Sequence, residues 1–235
     1  MKSLSQKTFS GKVIVFDSGT LINFAMNGML QEFKELKKIF KGKFLITREV
    51  KEEIIDRPMT IKRFELEALK IKELLEENTL ELPSALGIDE DKISQMTKEI
   101  LDVANNTFFG RDNPIHIIDS GEASCLALGK LLNERGIINV ISADERTIRV
   151  LSEKPENLLE LLQKKLHSQI RADRQNFKYF QGFKFIRSSE LVYIAYKKKI
   201  VKLKDKNVLD ALLYAVKLNG CSISEEEINE IKKLK

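Results

Sequence analysis

Several residue types are scarce in this chain of 235 residues, which has no tryptophan, two histidines, two cysteines and four prolines. Cys125 and Cys221 stand far apart, which provides neither a disulfide framework nor the spacing of a metal-binding cysteine pair. His116 and His167 are too few and too distant in sequence to support a Ser-His-Asp site. The sequence therefore predicts neither a zinc site nor a nucleophile activated by histidine.

Long apolar runs are also missing. No stretch of about 18 consecutive apolar residues occurs, so we expect no membrane-spanning helix. The opening residues, MKSLSQKTFSGK, contain no apolar stretch of signal-peptide length. These absences favour a cytoplasmic protein with no membrane partner.

The chain lacks the glycine-rich loops that cradle phosphates, because neither GxxxxGK[ST] nor GxGxxG follows any strand-like segment. The segment DSGT at 17–20 is superficially similar to the Asp-x-Asp-Gly-Thr motif of the haloacid-dehalogenase-like phosphatases. When the two are aligned on Gly19 and Thr20, Phe16 and Ser18 occupy the places of the two aspartates. Since phenylalanine cannot be phosphorylated, this mechanism is excluded.

Positive charge is concentrated in one part of the chain. The net charge is +5, but residues 163–206 hold thirteen Lys or Arg and only three acids, so this block carries +10 and the remainder −5. Such a block suits a polyanionic partner, and a solvated helix face is the alternative. Aromatic residues alternate with its cations in NFKYFQGFKFIR at 176–187. We expect Phe183 and Phe185 to belong to the core and leave Tyr179 and Phe180 open as stacking residues.

Strand-like and helix-like segments alternate along the chain. Strands are predicted at 12–16 (KVIVF), 43–47 (KFLIT) and 137–142 (IINVIS), with weaker ones at 79–83 (TLELP) and 183–186 (FKFI). Helical patterns cover about 21–40, 48–77, 89–104 and 120–134, and another begins near Asp144. The second of these is interrupted at Pro58, and the fourth ends at Gly136. FFGRDNP at 108–114 has the composition of a loop. Short apolar strands between helices predict an α/β fold with a mostly parallel sheet of four to five strands.

Acidic residues follow or flank the predicted strands. Asp17 follows the first strand, Glu52 and Glu53 begin the helix after the second, and Asp144 follows IINVIS. Asp119 and Glu122 open the helix of DSGEAS, with His116 just before it. Each acid alone could cap a helix or a turn. Four carboxylates at one edge of a sheet would repel one another unless a cation lies among them, and an all-oxygen set favours magnesium or manganese.

The order of these segments resembles the PIN-domain family of metal-dependent ribonucleases. VIVFDSGTLI, ITREVKEEI, DSGEASCLALGK and VISADERTIRVL are similar to the four acid-bearing motifs of that family. The resemblance implies a three-layer α/β/α fold over residues 1–152, with a helical insertion at about 59–106. Residues 153–235 would form a basic helical extension, packed on the same domain and resembling the tail of longer PIN-like proteins.

The same resemblance implies the site and its chemistry. It predicts Asp17, Glu53, Glu122 and Asp144 as the catalytic acids, of which Asp17, Glu122 and Asp144 would bind one or two Mg or Mn ions. Ser142 would orient a ligating carboxylate, with Asp119 and Glu52 as further supporting residues and Glu145 and Arg146 nearby. The expected reaction is hydrolysis of single-stranded RNA to 5′-phosphate and 3′-hydroxyl ends. Expected RNA-binding residues are Lys178, Lys184, Arg187, Lys197, Lys198 and Lys199.

Other functions stay open at this point. A non-catalytic PIN-like module that binds RNA or protein would keep the fold, although all four acid positions are filled in this sequence. The toxin of a toxin–antitoxin pair is a further alternative, and the length of the chain argues against it. The sequence does not decide whether the protein forms a homodimer.

Overall fold

A computed structural model describes residue 9 and residues 11–234 of the chain. Seven strands and eleven α-helices alternate through these residues. In chain order they are β1 (Lys12–Phe16), α1 (Ser18–Met26), α2 (Leu30–Phe40), β2 (Lys43–Leu45), α3 (Arg48–Lys51), α4 (Glu65–Glu76), α5 (Glu90–Asn105), β3 (Phe108–Gly110), β4 (Asn113–Pro114), α6 (Ser120–Glu134), β5 (Ile138–Ser142), α7 (Arg146–Glu153), α8 (Pro155–Leu166), β6 (Ile170–Ala172), β7 (Phe185–Ile186), α9 (Ser188–Lys197), α10 (Val208–Leu218) and α11 (Glu225–Lys233).

The main sheet has four strands in the order β2-β1-β5-β7, and every neighbouring pair is parallel. The central strand β1 is apolar and buried from Val13 to Phe16, as expected for a parallel strand covered on both faces. Helix α2 packs on it through Phe33, whose ring lies 4.9 Å from that of Phe16. Helix α6 contacts β1 and β5. The predicted α/β class is confirmed, and the arrangement is consistent with a three-layer α/β/α fold.

Glycine sets two of the helix boundaries. The helical pattern predicted over 21–40 divides into α1 and α2 at Gly28, whose φ of 67° is a left-handed conformation that glycine adopts without strain. Gly136, with φ of 68°, follows α6 in the same way and confirms the predicted end of that helix.

Two local predictions are wrong. TLELP forms no strand but a single bridge between Glu81 and Leu45, and Pro83 then begins a 3₁₀ turn. FFGRDNP is not a loop, because it supplies β3 and β4, which form a second, antiparallel sheet with β6 in the order β4-β3-β6. The helix-rich segment predicted over 48–77 is interrupted at Pro58 as expected, and it consists of α3, a π-helical turn at Glu52–Asp56, a 3₁₀ turn at Pro58–Thr60 and α4.

The C-terminal part of the chain contributes directly to the main sheet. Strand β7 pairs with β5 through Ile141 and Phe185. Asn23 of α1 donates a hydrogen bond to the carbonyl oxygen of Val216 in α10 at 2.9 Å. In the part of the chain that the structure describes, no helix is both long and apolar enough to cross a membrane.

Candidate active site

All four predicted catalytic acids line one pocket of about 170 Å³, namely Asp17, Glu53, Glu122 and Asp144. The sheet topology explains the positions of Asp17 and Asp144. Phe16 pairs with Ser142 at the carboxyl ends of adjacent parallel strands, so the residues that follow β1 and β5 leave the same edge of the sheet. The remainder of the pocket wall is formed by Ser18, Gly19, Asp119, Glu145, Asn219 and Gly220.

Asp17 is buried and has one bare carboxylate oxygen. Its backbone N–H donates to the carbonyl oxygen of Ser142 at 2.9 Å, and its Oδ2 accepts from the N–H of Gly19 at 3.4 Å, which caps α1. Its Oδ1 is buried and has no hydrogen-bond partner among the described residues. Burial, followed by the charge of Glu53, raises the pKa of Asp17 to about 7, although the nearby N–H groups oppose the change.

Glu122, on α6, also has one carboxylate oxygen with a hydrogen-bond donor and one without. Its Oε2 accepts from the N–H of Asp119 at 3.1 Å, whereas its Oε1 is buried without a hydrogen-bond partner in the described structure. Burial, followed by the charge of Asp17, raises the pKa of Glu122 to about 8. In both side chains the protein satisfies one oxygen and leaves the other bare.

Glu53 reaches the pocket from the π-helical turn. Its Oε1 accepts from the hydroxyl of Ser18 at 3.2 Å. A Cβ atom built on Gly121 would lie 2.6 Å from Glu53 Oε2 and 3.7 Å from Asp17 Oδ1, so both oxygens lie within 3.7 Å of one point. The missing side chain of Gly121 therefore makes room for the carboxylate of Glu53. Burial raises the pKa of Glu53 above its ordinary value, although the hydrogen bond with Ser18 opposes this change.

Asp144 differs because both of its oxygens accept hydrogen bonds. Oδ1 accepts from the backbone N–H of Ser188 at 2.7 Å, and Oδ2 accepts from the hydroxyl of Ser188 and from Nδ2 of Asn23 at 3.1 Å. Ser188 is the first residue of α9, where the positive end of the helix dipole favours a negative charge. Asp144 is thus a buried carboxylate whose orientation is determined by three donors.

A chain of asparagine amides extends from Asp144 to the pocket wall. Asn27 donates to Oδ1 of Asn23 at 2.7 Å, and Asn219 donates to Oδ1 of Asn27 at 2.8 Å. Asn23 is fully buried, and its Nδ2 already donates to Asp144 and to Val216. The amide of Asn23 therefore has one allowed orientation.

Two supporting residues differ from their predicted roles. Ser142 does not orient a carboxylate with its side chain, because its hydroxyl donates to Thr20 at 3.1 Å, and only its carbonyl oxygen contacts Asp17. Glu52 is not in the pocket. It is exposed at the start of the π-helical turn, 3.5 Å from Arg57. Asp119 lies on the pocket wall with an exposed side chain that pairs with Nε2 of His116 at 2.8 Å.

The residues that the sequence does not indicate are Asn23, Gly121 and Ser188. Asn23 is a polar residue inside the apolar pattern LINFAM, which is the one signal that could have identified it. Ser188 lies 44 residues beyond Asp144, and no local pattern connects the two. Gly121 belongs in the sequence to a helix-start motif, which gives no sign that it makes space for Glu53.

The donor set fits magnesium or manganese. All candidate ligands are carboxylate oxygens, and the bare Asp17 Oδ1 and Glu122 Oε1 are buried beside a shared pocket. Within residues 11–234, no three His, Cys, Asp or Glu side chains already stand in the geometry of a metal site. Asp17 and Glu122 fit direct ligation best, since both oxygens of Asp144 are engaged by protein donors.

The predicted RNA-binding residues fall into two groups. Arg187 is not available, because its guanidinium contacts Glu190, Glu227 at 2.8 Å and the carbonyl oxygen of Ser222 at 3.0 Å. Burial lowers the pKa of Arg187, but the hydrogen bonds and charges of Glu190 and Glu227 raise it well above its ordinary value. The remaining five are exposed and form no ion pair within 4 Å with the described residues: Lys178, Lys184, Lys197, Lys198 and Lys199.

The aromatic residues of the same segment are mostly internal. Phe177 and Phe180 are buried, and Phe183 and Phe185 are partly buried against the core. Tyr179 is 41% exposed, with the ammonium of Lys178 5.4 Å from its ring centre. Of the two aromatic residues that the sequence leaves open, only Tyr179 can present a face to a base.

No family model matches the chain, and no curated protein and no solved structure matches it either.

Proposed function

We propose that this protein is a magnesium- or manganese-dependent ribonuclease of the cytoplasm that hydrolyses single-stranded RNA to 5′-phosphate and 3′-hydroxyl ends. The observation that carries the proposal is the pairing of Asp17 and Glu122, two buried carboxylates that each keep one oxygen without a partner beside a pocket shared with Glu53 and Asp144.

The electrostatics support a cation at this pocket. Carboxylates that are buried near one another disfavour ionisation, as the raised pKa values of Asp17 and Glu122 reflect. A divalent cation offsets both the burial and the mutual repulsion, and it satisfies the bare oxygens. Oxygen donors without histidine or cysteine favour a hard ion.

Each acid has a separate task in this proposal. Asp17 and Glu122 bind the ion, and Glu53 completes the negative pocket at the point where Gly121 makes room for it. Asp144, with three donors on its carboxylate, is held in one orientation. When bound, a divalent ion supplies an activated water and offsets the charge that develops on the phosphate and on the leaving oxygen.

RNA is the proposed substrate because the pocket alone has little affinity for a polyanion. Five exposed lysines of the basic block have no counter-ion within 4 Å in the described structure, so they are available to backbone phosphates: Lys178, Lys184, Lys197, Lys198 and Lys199. The side chain of Tyr179 offers one base-stacking face beside them.

A non-catalytic RNA-binding module is the second candidate. The occupied oxygens of Asp144 favour it, as does the lack, among the described residues, of three acidic, histidine or cysteine side chains in ligand geometry. Under this alternative the pocket would bind no divalent ion, and the basic block would account for the whole function.

The decisive experiment measures cleavage of a 5′-labelled single-stranded RNA with Mg²⁺, with Mn²⁺ and with EDTA. We expect cleavage with either ion, ends that bear 5′-phosphate and 3′-hydroxyl groups, and loss of activity in Asp17→Asn and Glu122→Gln. Glu53→Gln and Glu52→Gln form a matched pair, because the same change is made at adjacent positions inside and outside the pocket. No cleavage of varied RNAs with either ion would favour the binding module.

A further inference from the structure

A second cavity adjoins the acidic pocket. It has a volume of about 460 Å³ and lies between α7, α8 and the loop at 220–222. We call it the leucine cleft, after the three leucines of α8 that line it: Leu158, Leu161 and Leu162. Glu145 and Gly220 line both spaces, so the cleft and the acidic pocket share a wall.

The floor of the cleft is apolar. Leu158, Leu161 and Leu162 are spaced three and four residues apart and therefore lie on one face of α8. Leu158 is buried, whereas Leu161 and Leu162 are only half-buried and leave part of this face accessible. An accessible apolar surface of this kind suits the face of a nucleobase, which needs apolar contact and no fixed hydrogen-bond pattern.

The rim of the cleft carries two cations. Arg146 is the first residue of α7, and Lys165 lies near the end of α8. Both are exposed, and neither side chain has an ion pair or a hydrogen bond to any described residue. The one acid on the cleft wall, Glu145, is at the boundary with the acidic pocket and accepts from the hydroxyl of Thr147 at 3.1 Å. The rim is therefore suited to a phosphate.

We infer that the leucine cleft binds a nucleotide of single-stranded RNA adjacent to the phosphate that is cleaved. The base contacts the leucine floor, and the flanking phosphate lies between Arg146 and Lys165. The inference rests on the proposed function, since the acidic pocket defines where the strand is cut. The cleft shares a wall with that pocket at Glu145 and Gly220, so the nucleotide next to the cut phosphate is the one that enters the cleft.

The test measures RNA binding without cleavage. Asp17→Asn protein in EDTA is titrated into a fluorescent single-stranded RNA between about 50 and 200 mM salt. Arg146→Gln with Lys165→Gln should weaken binding by roughly fivefold at about 0.1 M salt and reduce the slope of log K against log salt by about 0.7, because one phosphate is no longer neutralised. Leu161→Gln should weaken binding with little change in that slope, because it removes apolar contact and no charge.

The matched control is Lys154→Gln with Lys164→Gln. These two exposed lysines lie at the start and near the end of α8, carry the same charge and do not line the cleft. Thermal melting of each variant establishes that it is folded. Equal losses of affinity in the cleft pair and in the control pair would overturn the inference, as would an absence of RNA binding by the parent protein.

The outcomes also separate this inference from the proposed function. If RNA binds through Arg146 and Lys165 but the wild-type protein cleaves no RNA with either ion, the ribonuclease proposal fails and the cleft remains a nucleotide site. If the protein cleaves RNA and the cleft pair binds and cleaves as well as the control pair, the ribonuclease proposal stands and the cleft inference is wrong.

Discussion

Ser188 binds Asp144 with both of its donor groups, its backbone N–H at 2.7 Å and its hydroxyl, although 44 residues separate them in the chain. Ser188 begins α9, and Arg187, the residue before it, forms an ion pair with Glu227 of α11. One carboxylate of the acidic pocket is therefore oriented by the C-terminal part of the chain. A fragment that ended at residue 152 would contain all four acids and Asn23, but it would lack the two donor groups of Ser188 that orient Asp144.

The first prediction concerns this contact. Ser188→Ala removes the hydroxyl donor and leaves Asp144 with one donor fewer in a buried environment. A hydrogen bond to a charged group contributes about 1.5–3 kcal/mol, so we expect the free energy of unfolding of the metal-free protein to fall by about 2 kcal/mol. Chemical denaturation measures this change.

Ser189→Ala is the matched control. Ser189 is the next residue of the same helix and is equally buried, but its hydroxyl has no hydrogen-bond partner among the residues that the structure describes. We expect a change near zero, because no hydrogen bond is removed. Equal destabilisation of the two variants would show that the contact between Ser188 and Asp144 contributes nothing specific.

Sequence reasoning succeeds where structure depends on local pattern. The apolar runs of β1 and β5 identify strands because both faces of a parallel strand are buried, and the acids that follow them then have to lie at one edge of the sheet. The start of α6, which contains Glu122, is identified because a helix start has its own local pattern.

Most of the failures involve a contact that is distant in sequence. Phe108–Gly110 pairs with Asn113–Pro114 in a tight hairpin and also with β6, some sixty positions later, while the Gly, Asp and Asn residues of FFGRDNP are typical of a turn. The hydroxyl of Ser142 donates to Thr20 instead of to a carboxylate, and the amide of Asn23 finds Asp144 across 121 residues. No short window of sequence contains either partner.

A second prediction uses the space at Gly121. In Gly121→Ala the new Cβ atom would lie 2.6 Å from Oε2 of Glu53, the mobile end of a long side chain, so Glu53 should turn away from the pocket while the backbone stays in place. Alanine is the better helix former by about 1 kcal/mol, so stability should be maintained or rise. Cleavage activity and Mn²⁺ affinity should both fall, as activity assays and calorimetry would measure.

The double variant isolates the cause. If Gly121→Ala acts by displacing Glu53, it should have no further effect on Mn²⁺ affinity in a Glu53→Ala background. An additional decrease of affinity in that background would show that the added methyl group disturbs the pocket in another way.

A third prediction concerns the three lysines at the end of α9, of which Lys197 is the last residue of the helix. Changing Lys197, Lys198 and Lys199 to glutamine should lower the slope of log K against log salt for single-stranded RNA by about 0.7 for each phosphate that the variant no longer neutralises. The triple change of Lys70, Lys92 and Lys98 is the control, since these are also exposed and form no ion pair within 4 Å in the described residues. Equal slopes in the two triple variants would show that Lys197, Lys198 and Lys199 do not contact the RNA phosphates.

The last prediction is the pH dependence of the metal-free protein. In the folded chain the pKa of Asp17 is raised from 3.8 to about 7 and that of Glu122 from 4.5 to about 8. Between the unfolded and the folded pKa values the folded state binds more protons than the unfolded state, so stability must fall as the pH rises. Each group contributes a slope of about 1.4 kcal/mol per pH unit in that window.

Denaturation curves between about pH 5 and pH 8 measure the slope, and two further samples test its origin. The double variant Asp17→Asn with Glu122→Gln should be nearly insensitive to pH over this range, because neither amide titrates. Mn²⁺ should restore most of the missing stability at the upper end of the range, because binding of the cation to the folded protein favours the ionised form of both carboxylates. Stability that rises with pH in the wild-type protein, or an unchanged slope in the double variant, would mean that these two carboxylates do not share a buried, cation-dependent environment.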